Sequence, residues 1–156
     1  MNGWDFGQEG SLVTATGPGG VSGQIDVQDY YDCIDTAVDR GDGVMVSQVK
    51  IDAIKSLLRK SASKTDITRW TINHTSGYTR SAASLAGYRD NAAGCNPAIY
   101  EFLTGEEWLA APGPIGLMMM DFVGARESGS TTVYGDLLPQ VIIDNNYKYH
   151  MRRKGE

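Results

Sequence analysis

A single carboxylate, Asp121, directly follows the apolar run Ile115–Met120 in this sequence of 156 residues. An ionised aspartate beside a buried strand is unfavourable unless an oppositely charged or hydrogen-bonding partner holds it. Aspartates are also common after strands simply because turns favour them. We favour a functional role for Asp121, although the arginine or histidine that would pair with it is not evident in the sequence.

Polar groups follow two other predicted strands in the same way. Asp29 and Tyr31 close one alternating segment, and His74 closes another. The carboxyl ends of parallel strands open on one face of an α/β protein, and that face holds the chemistry in both open sheets and barrels. We therefore expect these groups to meet Asp121 at a shared site, although a satisfied turn histidine is the favoured interpretation of His74.

The elements that would position these residues alternate between strand and helix patterns, which predicts an α/β chain with parallel strands. The third strand has no polar alternation, as is typical of a strand covered on both faces. The Gly-rich start through Gly20 and the Gly/Ser/Ala-rich segment Thr75–Cys95 are predicted as loops. Strands are predicted over Ser22–Tyr31, Ile67–His74 and Ile115–Met120, and helices over Val44–Ala62, from Asn96-Pro97 to Gly105, and after the cap Asp136.

The composition excludes several classes of function. The net charge is −5, and the one basic block, His150–Lys154, is interpreted as a solvated tail and not as a lipid or RNA patch. No segment approaches the ~20 apolar residues of a membrane span, and the first residues lack the pattern of a signal peptide. Cys33 and Cys95 form no metal-binding pattern, and the sequence leaves open whether they form a disulfide or remain free thiols.

Several stretches together resemble the second half of the bacterial and fungal phosphatidylinositol-specific phospholipases C and their X-domain relatives. They are IDVQDYYD at Ile25–Asp32, WTINHTSGY at Trp70–Tyr78, and GLMMMDFVG at Gly116–Gly124 with VIIDNNYKY at Val141–Tyr149. The resemblance implies the C-terminal half of a distorted TIM (β/α) barrel. It divides the chain into a Gly-rich N-terminal segment (1–22), the half barrel (23–149) and a basic tail (150–156).

The resemblance also implies a reaction and roles for three residues. Members of that family cleave the phosphodiester of phosphatidylinositol, with two histidines as general base and general acid and an arginine that stabilises the phosphoryl charge. Asp121 matches the aspartate that orients the general-base histidine. Asp29 matches the acidic residue that binds inositol hydroxyls, and Tyr31 matches the aromatic residue that packs against the inositol ring. No metal or other cofactor is expected, except that animal-type members add calcium, whose ligands are not in this chain.

The catalytic histidine pair and the arginine belong to the first half of the family's barrel, which this sequence does not contain. We expect a phosphoric diester hydrolase that is incomplete without an N-terminal half or self-association, with a phosphoinositide or inositol phosphate as ligand and peripheral contact with lipid. Two alternatives stay open: a non-catalytic module that binds polyol headgroups, and a small phosphodiesterase that uses His74 with Asp121. Localisation is undetermined, although relatives of this kind are often secreted.

Overall fold

The computed structural model describes residues 11–63, 69–81 and 83–149. The strands of its largest sheet are β1 (Ser11–Thr16), β2 (Ser22–Gln28), β5 (Trp70–His74) and β6 (Leu117–Met119), and the helices are α1 (Gln48–Ala62), α2 (Leu85–Thr104), α3 (Glu106–Ala110) and α4 (Leu137–Asn145). The four strands lie in the order β1–β2–β5–β6, in which β2, β5 and β6 are parallel and β1 is antiparallel to β2. Along the chain, α1 lies between β2 and β5, and α2 lies between β5 and β6. The predicted α/β class with parallel strands is confirmed, whereas the half barrel stays a prediction.

Strand β1 corrects the prediction of a loop up to Gly20. Its sequence SLVTAT alternates, and Val13 is buried against β2, where it pairs with Ile25. The turn between β1 and β2 contains Gly19 and Gly20, both at positive φ (81° and 79°), which glycine adopts without strain. The first ten residues and the tail from 150 onward, including the predicted basic block, lie outside the described residues.

Helix α1 begins four residues later than predicted, because the residues before it form a short hairpin. Strand β4 (Met45–Ser47) pairs antiparallel with β3 (Ala37–Asp39). The Ser47 side chain then caps α1 by accepting a hydrogen bond from the Lys50 amide. The hairpin places the first turn of α1 beneath the carboxyl end of β2.

Helix α2 corrects two further predictions. The Gly/Ala-rich segment predicted as a loop is helical from Leu85, so Asn96-Pro97 lies inside the helix instead of opening it. Small residues allow α2 to approach β4 closely: a Cβ added at Gly94 would lie only 2.7 Å from Val46 Cγ1. Tertiary packing therefore outweighs the low helix propensity of this segment.

The sequence predicted that strand β6 is covered on both faces, and this prediction is wrong. Met118 and Met120 pack against the helical core, but Leu117 and Met119 are 50% and 43% exposed. Both exposed residues lie on the face of the sheet that also contains the exposed Trp70, opposite the face on which α1 packs. The β5–β6 part of this face is thus apolar and exposed among the described residues, whereas Val27 of β2 on the same face is buried.

Helix α4 packs on the core through Leu138, Val141 and Ile142, as the predicted apolar stripe requires. The Asp136 side chain does not cap it by a hydrogen bond, and instead lies 3.8 Å from Arg126. Two short strands, β7 (Glu127–Ser128) and β8 (Thr131–Thr132), form a separate hairpin. Every described helix is too short or too polar to traverse a bilayer.

Candidate functional site

The polar residues that end the parallel strands lie together at one edge of the sheet. Asp29, only 4% exposed, follows β2, and its Oδ1 lies 3.6 Å from Nδ1 of His74 at the end of β5. Asp121 follows β6 by two residues. Burial is the main cause that raises the pKa of the Tyr31 hydroxyl, followed by Tyr88. Asp121 and Asp29 each raise this pKa further, so both carboxylates interact electrostatically with Tyr31. The structure therefore brings together the four residues that the sequence singled out.

The loop after β5 fixes Asp121. The Gly77 amide donates a hydrogen bond to Asp121 Oδ2 over 3.4 Å, and the Asn96 side chain on α2 lies 3.5 Å from the Asp121 carbonyl oxygen, to which it donates. Burial raises the pKa of Asp121, while the Gly77 amide and the positive charge of Lys50 act in the opposite direction. Asp121 is thus a partly buried carboxylate whose orientation is set by neighbouring backbone.

The same loop fixes Tyr31. The Tyr78 amide donates to the Tyr31 carbonyl oxygen (3.1 Å), and the Cys33 amide donates to the Tyr78 carbonyl oxygen (2.9 Å). These bonds continue the parallel pairing of β2 and β5 beyond the ends of the strands. The Tyr31 ring packs edge-on against Tyr78, with centroids 5.5 Å apart, and Tyr78 packs in turn against Tyr88. Tyr31 is therefore part of an aromatic row along the edge of the site.

Two asparagines of α2 support these loops, and the sequence reasoning missed both roles. Asn91 Nδ2 donates to the Thr75 carbonyl oxygen over 2.8 Å, and the Thr75 amide donates to Met119 over 2.7 Å. Asn96 Nδ2 donates to the Val133 carbonyl oxygen over 2.9 Å as well as toward Asp121. Asparagines are unfavourable inside helices, so two of them within an Ala/Gly-rich segment were the available sign of such contacts.

A second group missed by the sequence reasoning is Lys50, whose side chain is fully buried below the site. Its Nζ donates to Gln28 Oε1 over 3.3 Å. Burial lowers the pKa of the Lys50 ammonium, and Asp29 and Asp121 are among the groups that oppose this effect. A lysine on the first turn of an amphipathic helix gives no sign of burial in the sequence, because such residues usually face solvent.

The surroundings of His74 together lower the pKa of its imidazole, which favours the neutral form. Burial lowers the pKa of the imidazole, the Asp29 carboxylate raises it, and the Lys50 charge lowers it again. A neutral imidazole can accept a proton or a hydrogen bond, which a charged one cannot. His74 can thus act as a proton or hydrogen-bond acceptor, and it lies beside Asp29 at the edge of the site.

The two cysteines are free, buried thiols, which settles the alternative that the sequence left open in favour of thiols. Burial raises the pKa of Cys33 to about 11 and that of Cys95 to about 12. Since the thiolate is the reactive form, neither is suited to act as a nucleophile near neutral pH. The described residues include no cluster of three or more His, Cys, Asp or Glu side chains that could hold a metal ion.

No protein-family model matches this chain, and a search of curated proteins found no match. Solved structures of the phosphatidylinositol-specific phospholipase C of Staphylococcus aureus are similar. A histidine-to-tyrosine variant of that enzyme aligns with a TM-score of 0.60 and 21% identity over 96% of this chain and 40% of its own. The enzyme with incorporated pentafluoro-Phe aligns with a TM-score of 0.55 and 18% identity, over 87% of this chain and 38% of its own.

A third structure, which concerns the modulation of membrane binding by the same enzyme, gives a TM-score of 0.54 and 18% identity. This chain spans about two fifths of the length of the phospholipase chains that it matches. The resemblance inferred from the sequence motifs is therefore confirmed at the level of structure: the chain is similar in fold to part of a phosphatidylinositol-specific phospholipase C.

Proposed function

We propose that this chain provides the headgroup-binding part of a phosphodiesterase active site that cleaves phosphoinositide-type substrates. The observation on which the proposal depends is the convergence of Asp29, Tyr31 and Asp121 at the carboxyl edge of parallel strands, in a fold similar to that of a phospholipase C. Ligands bind at this edge in α/β proteins, since the loops there are free to vary while the strands position them.

Asp29 and Tyr31 suit a cyclic polyol. A buried carboxylate accepts strong hydrogen bonds from neighbouring hydroxyl groups, and Asp29 is only 4% exposed. Tyr31, half-buried and packed edge-on against Tyr78, offers a fixed aromatic surface for the apolar face of the ring. In this proposal Asp29 selects hydroxyl groups and Tyr31 selects the shape of the ring.

Asp121 suits the orientation of a histidine. A carboxylate that is fixed by a backbone amide can hold an imidazole in one tautomer and stabilise its charged form. Hydrolysis requires proton transfer on both sides of phosphorus, but among the described residues the site contains one histidine, His74, since His150 lies outside them. We therefore assign the catalytic histidines to further protein, which would also cover the exposed Trp70, Leu117 and Met119.

A second candidate function is favoured by His74. It lies beside Asp29, so the residues at this edge already form a hydrogen-bonding surface for a polyol without a second proton carrier. In that case the chain binds a headgroup without cleaving it. Both candidates use the same site, and they differ only in whether a complementary part of the protein completes it.

Binding is tested by titrating the chain with myo-inositol 1-phosphate. Asp29→Asn should weaken the affinity by about tenfold, as expected for the loss of a hydrogen bond to a charged group. Asp52→Asn, which removes the same charge from an exposed position of α1, should leave it unchanged. Equal affinities for the two variants, or no binding by the unaltered chain, would overturn the proposal.

Catalysis is tested with a chromogenic inositol phosphodiester, with and without calcium. We expect no turnover by the chain alone and turnover after addition of an N-terminal half barrel from a phospholipase C of this type. Binding without turnover under all conditions would favour the headgroup-binding module. Turnover by the chain alone that is lost in His74→Ala would instead favour the small phosphodiesterase.

A further inference from the structure

The Gln28 side chain joins three separate elements directly below the candidate site. Its Oε1 accepts hydrogen bonds from Lys50 Nζ (3.3 Å) and from the Tyr30 amide (3.2 Å), and its Nε2 donates to the His74 carbonyl oxygen (3.4 Å). Tyr30 lies between the two proposed ligand-binding residues of the β2 loop, and His74 ends β5. A single buried carboxamide therefore connects α1 with the ends of both strands.

Burial of the Lys50 ammonium group in this position costs desolvation free energy. It is fully buried, and its Nζ donates a hydrogen bond to the neutral side-chain amide of Gln28. Because of this cost, a buried ionic interaction is in general weak evidence for a contribution to stability. Stability is thus a weak reason for a lysine here, and its hydrogen bond to the carboxamide that joins the strand ends, together with its electrostatic interaction with Asp29 and Asp121, points to a role in the site.

We propose that Lys50 and Gln28 form a buried positioning pair for the candidate site. The ammonium group fixes the carboxamide, and the carboxamide fixes the strand ends from which the site residues project. The ammonium also supplies positive charge beneath the carboxylates. This inference rests on the proposed function for its biological meaning, but its physical content concerns the unliganded chain.

The charge of Lys50 acts on the site in one consistent direction. It opposes the effect of burial on the pKa of Asp121 and lowers the pKa of His74. Both effects favour an ionised carboxylate and a neutral imidazole, and both of these forms accept hydrogen bonds from hydroxyl groups. The other titratable groups that interact electrostatically with Lys50 are Asp29 and the thiols Cys33 and Cys95, which remain protonated near neutral pH.

The test uses the whole chain with three substitutions. Lys50→Met removes the charge and keeps most of the volume, whereas Gln28→Glu keeps the lysine but neutralises it with an adjacent carboxylate. Lys55→Met is the matched control, since Lys55 lies on the same helix with its Nζ 5.8 Å from the Phe102 ring. NMR titration of the imidazole signals, assigned by a His74→Gln variant, reports on the site without any ligand.

We expect the midpoint of the His74 titration to rise in Lys50→Met and in Gln28→Glu, and to stay unchanged in Lys55→Met. The affinity for myo-inositol 1-phosphate should fall by about tenfold in the first two variants. If Lys50→Met does not fold, Lys50→Gln, which removes the charge and keeps a donor for Gln28 Oε1, decides the matter. A folded Lys50→Met or Gln28→Glu variant with an unshifted His74 would overturn the inference, whereas failure of the unaltered chain to bind would overturn only the proposed function.

Discussion

The backbone amide of Gly77 lies 3.4 Å from Asp121 Oδ2 and donates a hydrogen bond to it. The loop after one parallel strand thereby holds the carboxylate that follows the next strand. The absence of a side chain at Gly77 is equally important, because a Cβ there would lie 2.9 Å from the Tyr31 carbonyl oxygen. One glycine therefore sets the positions of two site residues, Asp121 and Tyr31.

Gly77→Ala should consequently damage both stability and the site. The added methyl group meets backbone at 2.9 Å and the Asn91 side chain at 3.4 Å, so the loop must shift. We expect a loss of about 1–3 kcal/mol in the free energy of unfolding, measured in urea. Gly23→Ala is the control, since its Cβ would have nothing within 4 Å. Equal stability of the two variants would contradict the packing described for Gly77.

The pH titration of His74 gives a second prediction, on the pairing of the imidazole with Asp29. The carboxylate raises the pKa of His74, against burial and the Lys50 charge, which lower it. Asp29→Asn should therefore lower the midpoint of the His74 titration, as measured by NMR. An unchanged or higher midpoint would mean that the two side chains do not interact in solution at the 3.6 Å separation of the structure.

The parallel direction of β2, β5 and β6 could be predicted, because strand patterns alternate with helix patterns along the chain. The first half of α2 could not be predicted in the same way. Its glycines and alanines favour no local structure strongly, and the helix depends on close contact with β4 that only the folded chain provides. The exposure of Leu117 and Met119 is likewise a property of the sheet, since β6 lies at its edge.

The site shows the same division. Asp29, Tyr31 and Asp121 could be selected as candidates because strand ends meet at one edge of a parallel sheet. Lys50 and Asn91 could not, because a polar residue in a helix is ordinarily solvated, and its burial depends on which face of the helix meets the sheet. Positioning residues of this kind become visible only when the contacts of the folded chain are known.

The thiols provide a third prediction. Cys33 and Cys95 are 0% and 2% exposed, and burial raises their pKa values to about 11 and about 12. A disulfide-exchange reagent such as DTNB should therefore react with neither thiol in the native protein at pH 8, and with both after unfolding in urea. Rapid reaction of either thiol under native conditions would show that the region around Lys50 opens readily.

The last prediction concerns the stability associated with Asp121. Its pKa is raised in the folded protein, chiefly by burial, so the folded state binds the proton more tightly than the unfolded state. Such a group contributes stability below the unfolded pKa and loses that contribution as the pH rises through the folded pKa. Asp121→Asn, which resembles the protonated form and keeps an acceptor for the Gly77 amide, should thus stabilise the chain at pH 7 and have little effect at pH 3.

Urea denaturation at several pH values measures this difference directly, with the exposed Asp52→Asn as the control for loss of one negative charge. A gain in stability at pH 7 for Asp121→Asn, together with a lower affinity for myo-inositol 1-phosphate or a lower activity of the completed enzyme, would mean that the carboxylate is retained for function at a cost in stability. A loss of stability at pH 7 would instead mean that Asp121 serves the fold, and its assignment to the orientation of a histidine would have to be abandoned.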